Sequence, residues 1–155
     1  MRYSWFLTAV LLVGGTLSSA TAQPGRVATA VAKGGPLLPP SAVQSAFAQR
    51  FPTATAVAWE MEGALYEAEF KDATTKMSAL FAATGALREV ERAVPLSALP
   101  AAVLPYLEKH YPAKPKIKEA ARIEDAAGTV TWEVEIGKKD VFFSATGAFL
   151  REEAD

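Results

Sequence analysis

The chain has 155 residues, with sixteen basic and seventeen acidic side chains, a formal net charge of −1 and no cysteine. A near-neutral balance leaves no electrostatic footprint for a nucleic acid or an anionic membrane surface. The missing cysteine excludes thiol catalysis, thiolate metal centres, Fe–S clusters and disulfides, and a length of this order suits one domain held by packing alone.

The N-terminus reads as a secretory signal over residues 1–22. Arg2 is a short basic start, Trp5 to Val13 is an apolar run too short to span a bilayer, and Ala20-Thr21-Ala22 is a small-residue cleavage pattern before Gln23. Residues 23–37, with Gln23-Pro24-Gly25 and Gly34-Gly35-Pro36, read as a flexible leader. The expected localisation is periplasmic or secreted, with no membrane insertion after cleavage.

The fold is expected to start at Leu38. Pro39 and Pro40 suit the first turn of a helix, where a missing N–H costs nothing. Val43, Ala46, Phe47 and Phe51 follow at helical spacing, and Phe51-Pro52 ends the helix because the residue before a proline is pushed out of the helical region. A strand with Val57, Trp59 and Met61 on one face comes next, then a turn at Glu62-Gly63. Leu65 to Phe70 alternates apolar residues with glutamates, the period of a strand with one buried and one wet face. Further strands are predicted over 76–82 and 86–91, joined at Thr84-Gly85.

The pattern then restarts. Val103, Tyr106, Leu107 and Tyr111 repeat the helical stripe, and Tyr111-Pro112 repeats Phe51-Pro52. Pro105 inside that stripe predicts a kink, or a helix that begins near Ala101. Strands follow over 117–124, over Val130 to Ile136 with Glu133 and Glu135 on the wet side, over 141–144, and over 149–153 after Thr146-Gly147-Ala148. Several echoes in one order predict two tandem units of about 60 residues, near 38–94 and 95–155.

These residues carry a family resemblance. The order of helix, aromatic-Pro, aromatic-Glu-x-Glu-apolar (Tyr66 to Phe70, Trp132 to Ile136) and Phe-x-x-x-Gly (Phe81 to Gly85, Phe143 to Gly147) resembles the PepSY-like family, also described as β-lactamase-inhibitor-like. The resemblance covers Leu38 to Glu153. It implies an α+β fold of two tandem helix-plus-four-strand repeats, whose strands form an antiparallel sheet with both helices packed on one face. It also implies an exported, non-catalytic binding protein. The inhibitor's contact residues are not recognisable here, so no activity against β-lactamase is carried over.

The candidate chemistry is sparse. Glu67, Glu69, Glu133 and Glu135 are expected as solvated carboxylates on the open sheet face, since a glycosidase pair would need opposed carboxyls in a cleft. His110 is the only histidine, expected at a helix end. No calcium loop, phosphate loop, dinucleotide fingerprint or nucleophile elbow is present. No catalytic, cofactor or metal site is therefore expected. Trp59, Tyr66, Phe70, Phe81, Trp132 and Phe143 are assigned to the core. Phe142 and Phe143 are adjacent on a strand and must point to opposite faces. With Phe143 and Phe81 inward, Phe142 and Leu80 fall on the open face.

The expected function is binding or modulation of another envelope or secreted protein through a face formed by Glu67, Glu69, Leu80, Glu133, Glu135 and Phe142. The alternative is a small-molecule carrier or sensor with a pocket between helices and sheet.

Overall fold

The computed structural model describes residues 37–111 and 116–154; the expected signal segment and nearly all of the leader lie outside them. Helix α1 spans Ser41–Arg50, with Pro40 immediately before it. Strands β1 (Ala54–Glu62), β2 (Leu65–Asp72), β3 (Thr75–Phe81) and β4 (Leu87–Ala93) follow. A short 3-10 turn at Leu96–Ala98 leads into helix α2, Val103–His110, and then come β5 (Ile117–Asp125), β6 (Val130–Ile136), β7 (Lys139–Ser144) and β8 (Phe149–Ala154). Pro105 sits in the first turn of α2, where the absent N–H has no intrahelical acceptor to lose, so the helix starts two residues after Ala101.

The expected pair of tandem helix-plus-four-strand repeats is corrected. The strands form a single eight-stranded antiparallel sheet in strict sequence order, with one helix ahead of the strands and one in the middle. The ladder continues across the expected boundary: β4 pairs β5 from Glu89↔Asp125 to Ala93↔Ala121. Backbone hydrogen bonding there joins the two sets of strands into one sheet, so neither set has an edge of its own at the middle.

One face of that sheet carries both helices. Val43 and Phe47 of α1 pack on Ala68, Phe70, Met77, Ala79 and Phe81. Val103 and Leu107 of α2 pack on Val134, Ile136, Val141 and Phe143. The Phe47 ring meets Phe70, Trp59 and Phe81 edge-on, with centroids 5.1, 5.2 and 6.3 Å away, geometry that the ring quadrupole favours. Of the expected core aromatics, Phe70, Phe81 and Phe143 are buried, while Trp59, Tyr66 and Trp132 pack at the margins of the two clusters.

Two glycines fix how the helices sit. Gly85 and Gly147 both have a φ of +86°, which L side chains rarely adopt. A Cβ on Gly85 would stand 2.7 Å from the Ala42 carbonyl oxygen, and one on Gly147 would stand 2.9 Å from the Pro100 Cβ. Each turn therefore presses bare backbone against the start of a helix.

Candidate functional site

The other face of the sheet carries no helix among the described elements, and its register can be followed strand by strand. Glu60 lies opposite Glu67, Glu67 opposite Leu80, and Leu80 opposite Glu89. Glu69 lies opposite Ser78, and Ser78 opposite Glu91. Across the middle, Ala121 pairs with Glu133 and Glu119 with Glu135; Glu133 then pairs with Phe142 and Glu135 with Asp140. Phe142 lies opposite Arg151, and Asp140 opposite Glu153. The six residues expected on this face, Glu67, Glu69, Leu80, Glu133, Glu135 and Phe142, are all brought to it. Glu91, Glu89, Glu119, Asp140 and Arg151 join them. Strand alternation alone could have located these five, since each follows from the partner's face at its register position.

The expected wet surface is not wet. Glu67 is 5% exposed, Glu133 6%, Glu135 8% and Phe142 5%. Leu80 and Glu69 are half-buried. Register irregularities at Thr55/Ala58, Leu80/Phe81, Ile117/Glu119 and Phe142/Phe143 recur along the sheet. Bulges of this kind bend strands and increase their twist, and a bent sheet brings the side chains of its inner face together. Burial of these carboxyls is a property of the assembled sheet and could not be read from any one strand.

Crowding like charges in a dry place changes their chemistry. Burial pushes the Glu67 carboxyl up to about 8, helped by Glu62, Glu69 and Glu60 and opposed by a hydrogen bond with Ser78. Glu133 is likewise raised to about 8 by burial and by Asp140, Glu89 and Glu135, with Arg151 working against the shift. Burial, and then the carboxyl of Glu133, hold Glu91 well above the ordinary range. Glu89 is raised by burial and by Glu62, and Glu69 by burial and by Glu60. Desolvation and like charge act in the same direction at every one of these groups.

Lysine and arginine side chains also reach this face. Lys76 donates to Glu119 Oε2 at 3.3 Å, and Lys118 pairs with Glu135. Arg151 donates to Glu153 Oε1 at 2.7 Å, and its guanidinium lies 3.7 Å from the centre of the Phe142 ring. Glu67 Oε1, Glu133 Oε2 and Glu135 Oε2 are buried without a hydrogen-bond partner. An oxygen in that state forfeits about 1–3 kcal/mol of desolvation energy, so the face holds unused binding capacity. Among the described residues no group of three or more metal-ligating side chains could hold a metal ion.

A cavity of about 320 Å³ opens on the same face, beneath the bulge of β1. Its lining includes Ala58, Glu69, Ser78, Glu91, Lys71 and Lys76. Between helices and sheet, Val43, Phe81, Val103 and Phe143 are each less than 2% exposed, while a cleft of about 540 Å³ lined by Tyr106, His110, Tyr111, Ile136, Lys139 and Glu152 opens at the C-terminal end of α2. His110 is the last residue of α2, exposed and stacked on Tyr106 at 4.2 Å, away from the acidic face.

No family model matches this chain, and no curated protein matches it. Solved structures do share its fold. A Bacteroides eggerthii protein provisionally described as periplasmic superposes with a TM-score of 0.68 at 20% identity, covering 76% of this chain and 89% of its own. A DUF2874 family protein from Bacteroides uniformis gives 0.67 at 19% identity, covering 76% and 90%. A protein from Bacteroides fragilis described as BLIP-like gives 0.57 at 28% identity, covering 76% and 88%. These neighbours are consistent with a BLIP-like fold, although the arrangement of this chain is one eight-stranded sheet and not the two repeats that the resemblance implied.

Proposed function

We propose that this chain is an exported, non-catalytic binding protein that holds a positively charged surface of another envelope protein against its helix-free sheet face. The observation that carries the reading is the set of buried carboxyl oxygens on Glu67, Glu133 and Glu135 that lack hydrogen bonds. Ammonium or guanidinium groups of a partner would supply the missing donors and offset the repulsion that raises Glu67 and Glu133. Export is supported by the signal-like N-terminus and by the description given to the Bacteroides eggerthii neighbour.

Catalysis by the five shifted carboxyls of this face is disfavoured because all of them move in one direction. A working acid–base pair needs one ionised carboxyl beside a protonated one. Here Glu67, Glu69, Glu89, Glu91 and Glu133 are all displaced upward.

The test compares cross-linked capture from envelope extract by the chain and by a variant carrying Glu67→Gln, Glu69→Gln, Glu133→Gln and Glu135→Gln. A partner held by the first and released by the second, with the variant's Tm kept or raised, supports the proposal. Capture of the same proteins by both sinks it.

A further inference from the structure

The cavity under β1 has features that the face as a whole does not. It exists because β1 leaves its register with β2 between Thr55 and Ala58. Ala56, in that gap, has a φ of +54°, a left-handed conformation that costs a non-glycine residue about 1–3 kcal/mol. Strain of this kind, held beside a cavity, is commoner at ligand sites than elsewhere. The volume lies at the small end of the range for ligand sites, about 300–1,000 Å³.

The chemistry of the walls is graded. Glu69, Ser78 and Glu91 line it in register from β2 to β4, and Glu91 is only 9% exposed. Ser78 also holds the neighbouring Glu67, which is itself 5% exposed and whose Oε1 has no partner. Ala56, Ala58 and Ala93 are small apolar wall residues, leaving room for methylene groups. Lys71 and Lys76 line it as well, both exposed, and Lys76 donates to Oε2 of Glu119, a further wall residue.

We propose that this cavity is a binding site for a primary alkylammonium group, which donates hydrogen bonds to Glu69, Ser78 and Glu91 while Lys71, and Lys76 by exchanging its pairing with Glu119, select a chain bearing a carboxylate at its far end. The ammonium matches the acceptors in number, since it has three donors. It also relieves the repulsion on Glu91, whose carboxyl is held high by burial and by Glu133. A quaternary ammonium offers no donors, and a fatty acid places its charge wrongly. The inference does not depend on a protein partner. Small-molecule binding with no protein capture would sink the proposed function and leave this one standing.

The test is titration of the full chain, followed by amide NMR and calorimetry, with 6-aminohexanoate, hexylamine, hexanoate and N-acetyl-lysine methylamide. The expected result is saturable binding of the amines with shifts in β2, β4 and the β1 bulge, 6-aminohexanoate tightest, and none for hexanoate. Glu91→Gln should weaken 6-aminohexanoate by about tenfold or more, the size of one lost charge-assisted hydrogen bond. Ala58→Leu, which fills the cavity without changing charge, should abolish binding while the protein stays folded. Preference for the lysine mimic over 6-aminohexanoate would assign the ammonium to a protein side chain and overturn the role of the rim lysines. Equal binding of hexanoate, no saturable amine binding, or an unaffected Ala58→Leu variant would overturn the site itself.

Discussion

Glu91 on β4 and Glu133 on β6 flank β5 on the same sheet face, and the carboxyl of Glu133 adds to burial in raising the proton affinity of Glu91. Neither residue has an arginine or lysine beside it in the cross-strand register: Glu91 lies opposite Ser78 and Ile123, and Glu133 opposite Ala121 and Phe142. Burial and mutual repulsion favour the neutral acid in this pair, and within the chain Arg151 offsets part of that at Glu133.

The first prediction concerns pH. Glu67 and Glu133 hold protons up to about 8 in the folded protein, against an ordinary value of 4.5 in the unfolded chain. Between those values the folded state binds more protons, so stability falls as pH rises through the window and levels off above it. Thermal unfolding should therefore show a higher Tm at pH 5 than at pH 8.5, by about 5 °C or more. Glu67→Gln with Glu133→Gln should flatten the profile and raise the Tm at the alkaline end. A Tm that rises with pH would show these carboxyls to be ionised and paired.

Phe142 should behave as a structural residue. It is 5% exposed, and its ring stacks beneath the Arg151 guanidinium. A docking role for Phe142 would leave stability nearly unchanged on Phe142→Ala; its burial points to the opposite outcome. Truncation should cost about 3 kcal/mol, from lost burial and a lost cation–π contact. Denaturant unfolding gives the value directly, and a change below about 1 kcal/mol would contradict the packing.

Arg151 acts on both Glu89 and Glu133, and at each it lowers the carboxyl's proton affinity. Arg151→Met keeps part of the packing on Phe142 and removes the charge. Side-chain carboxyl NMR should then show Glu133 titrating above its wild-type position, and an unmoved or lowered Glu133 would contradict the contact.

The glycine turns should be intolerant of a methyl group. Gly147→Ala places a Cβ 2.9 Å from the Pro100 Cβ at a φ of +86°, and should destabilise by about 1–3 kcal/mol from backbone strain before any clash. Gly128 has a similar φ of +83° but nothing within 4 Å, so Gly128→Ala separates strain from contact. Gly147→Ala should cost more, as read by denaturant midpoints.

Much of the fold was legible locally. The stripe Val43, Phe47 with Phe51-Pro52 marked a helix and its end, and Tyr66 to Phe70 and Trp132 to Ile136 marked strands, because periods of 3.6 and 2 are written residue by residue. The sites of the turns at Gly85 and Gly147 were legible because few residues besides glycine adopt a positive φ. The short turn at Leu96–Ala98 left no such signal, since three residues of 3-10 structure carry no period.

The sequence by itself determined which side chains share a face: Glu67, Glu69, Glu133, Glu135 and Phe142 on one, Phe81 and Phe143 on the other, through alternation alone. Only the tertiary structure decided that the first face is dry. Exposure depends on how eight strands bend together and on which bulges open a cavity, and those are properties of residues up to a hundred positions apart. The same decision sets the charge, because a glutamate on a flat sheet is an anion in water, and one folded in among its own kind keeps its proton.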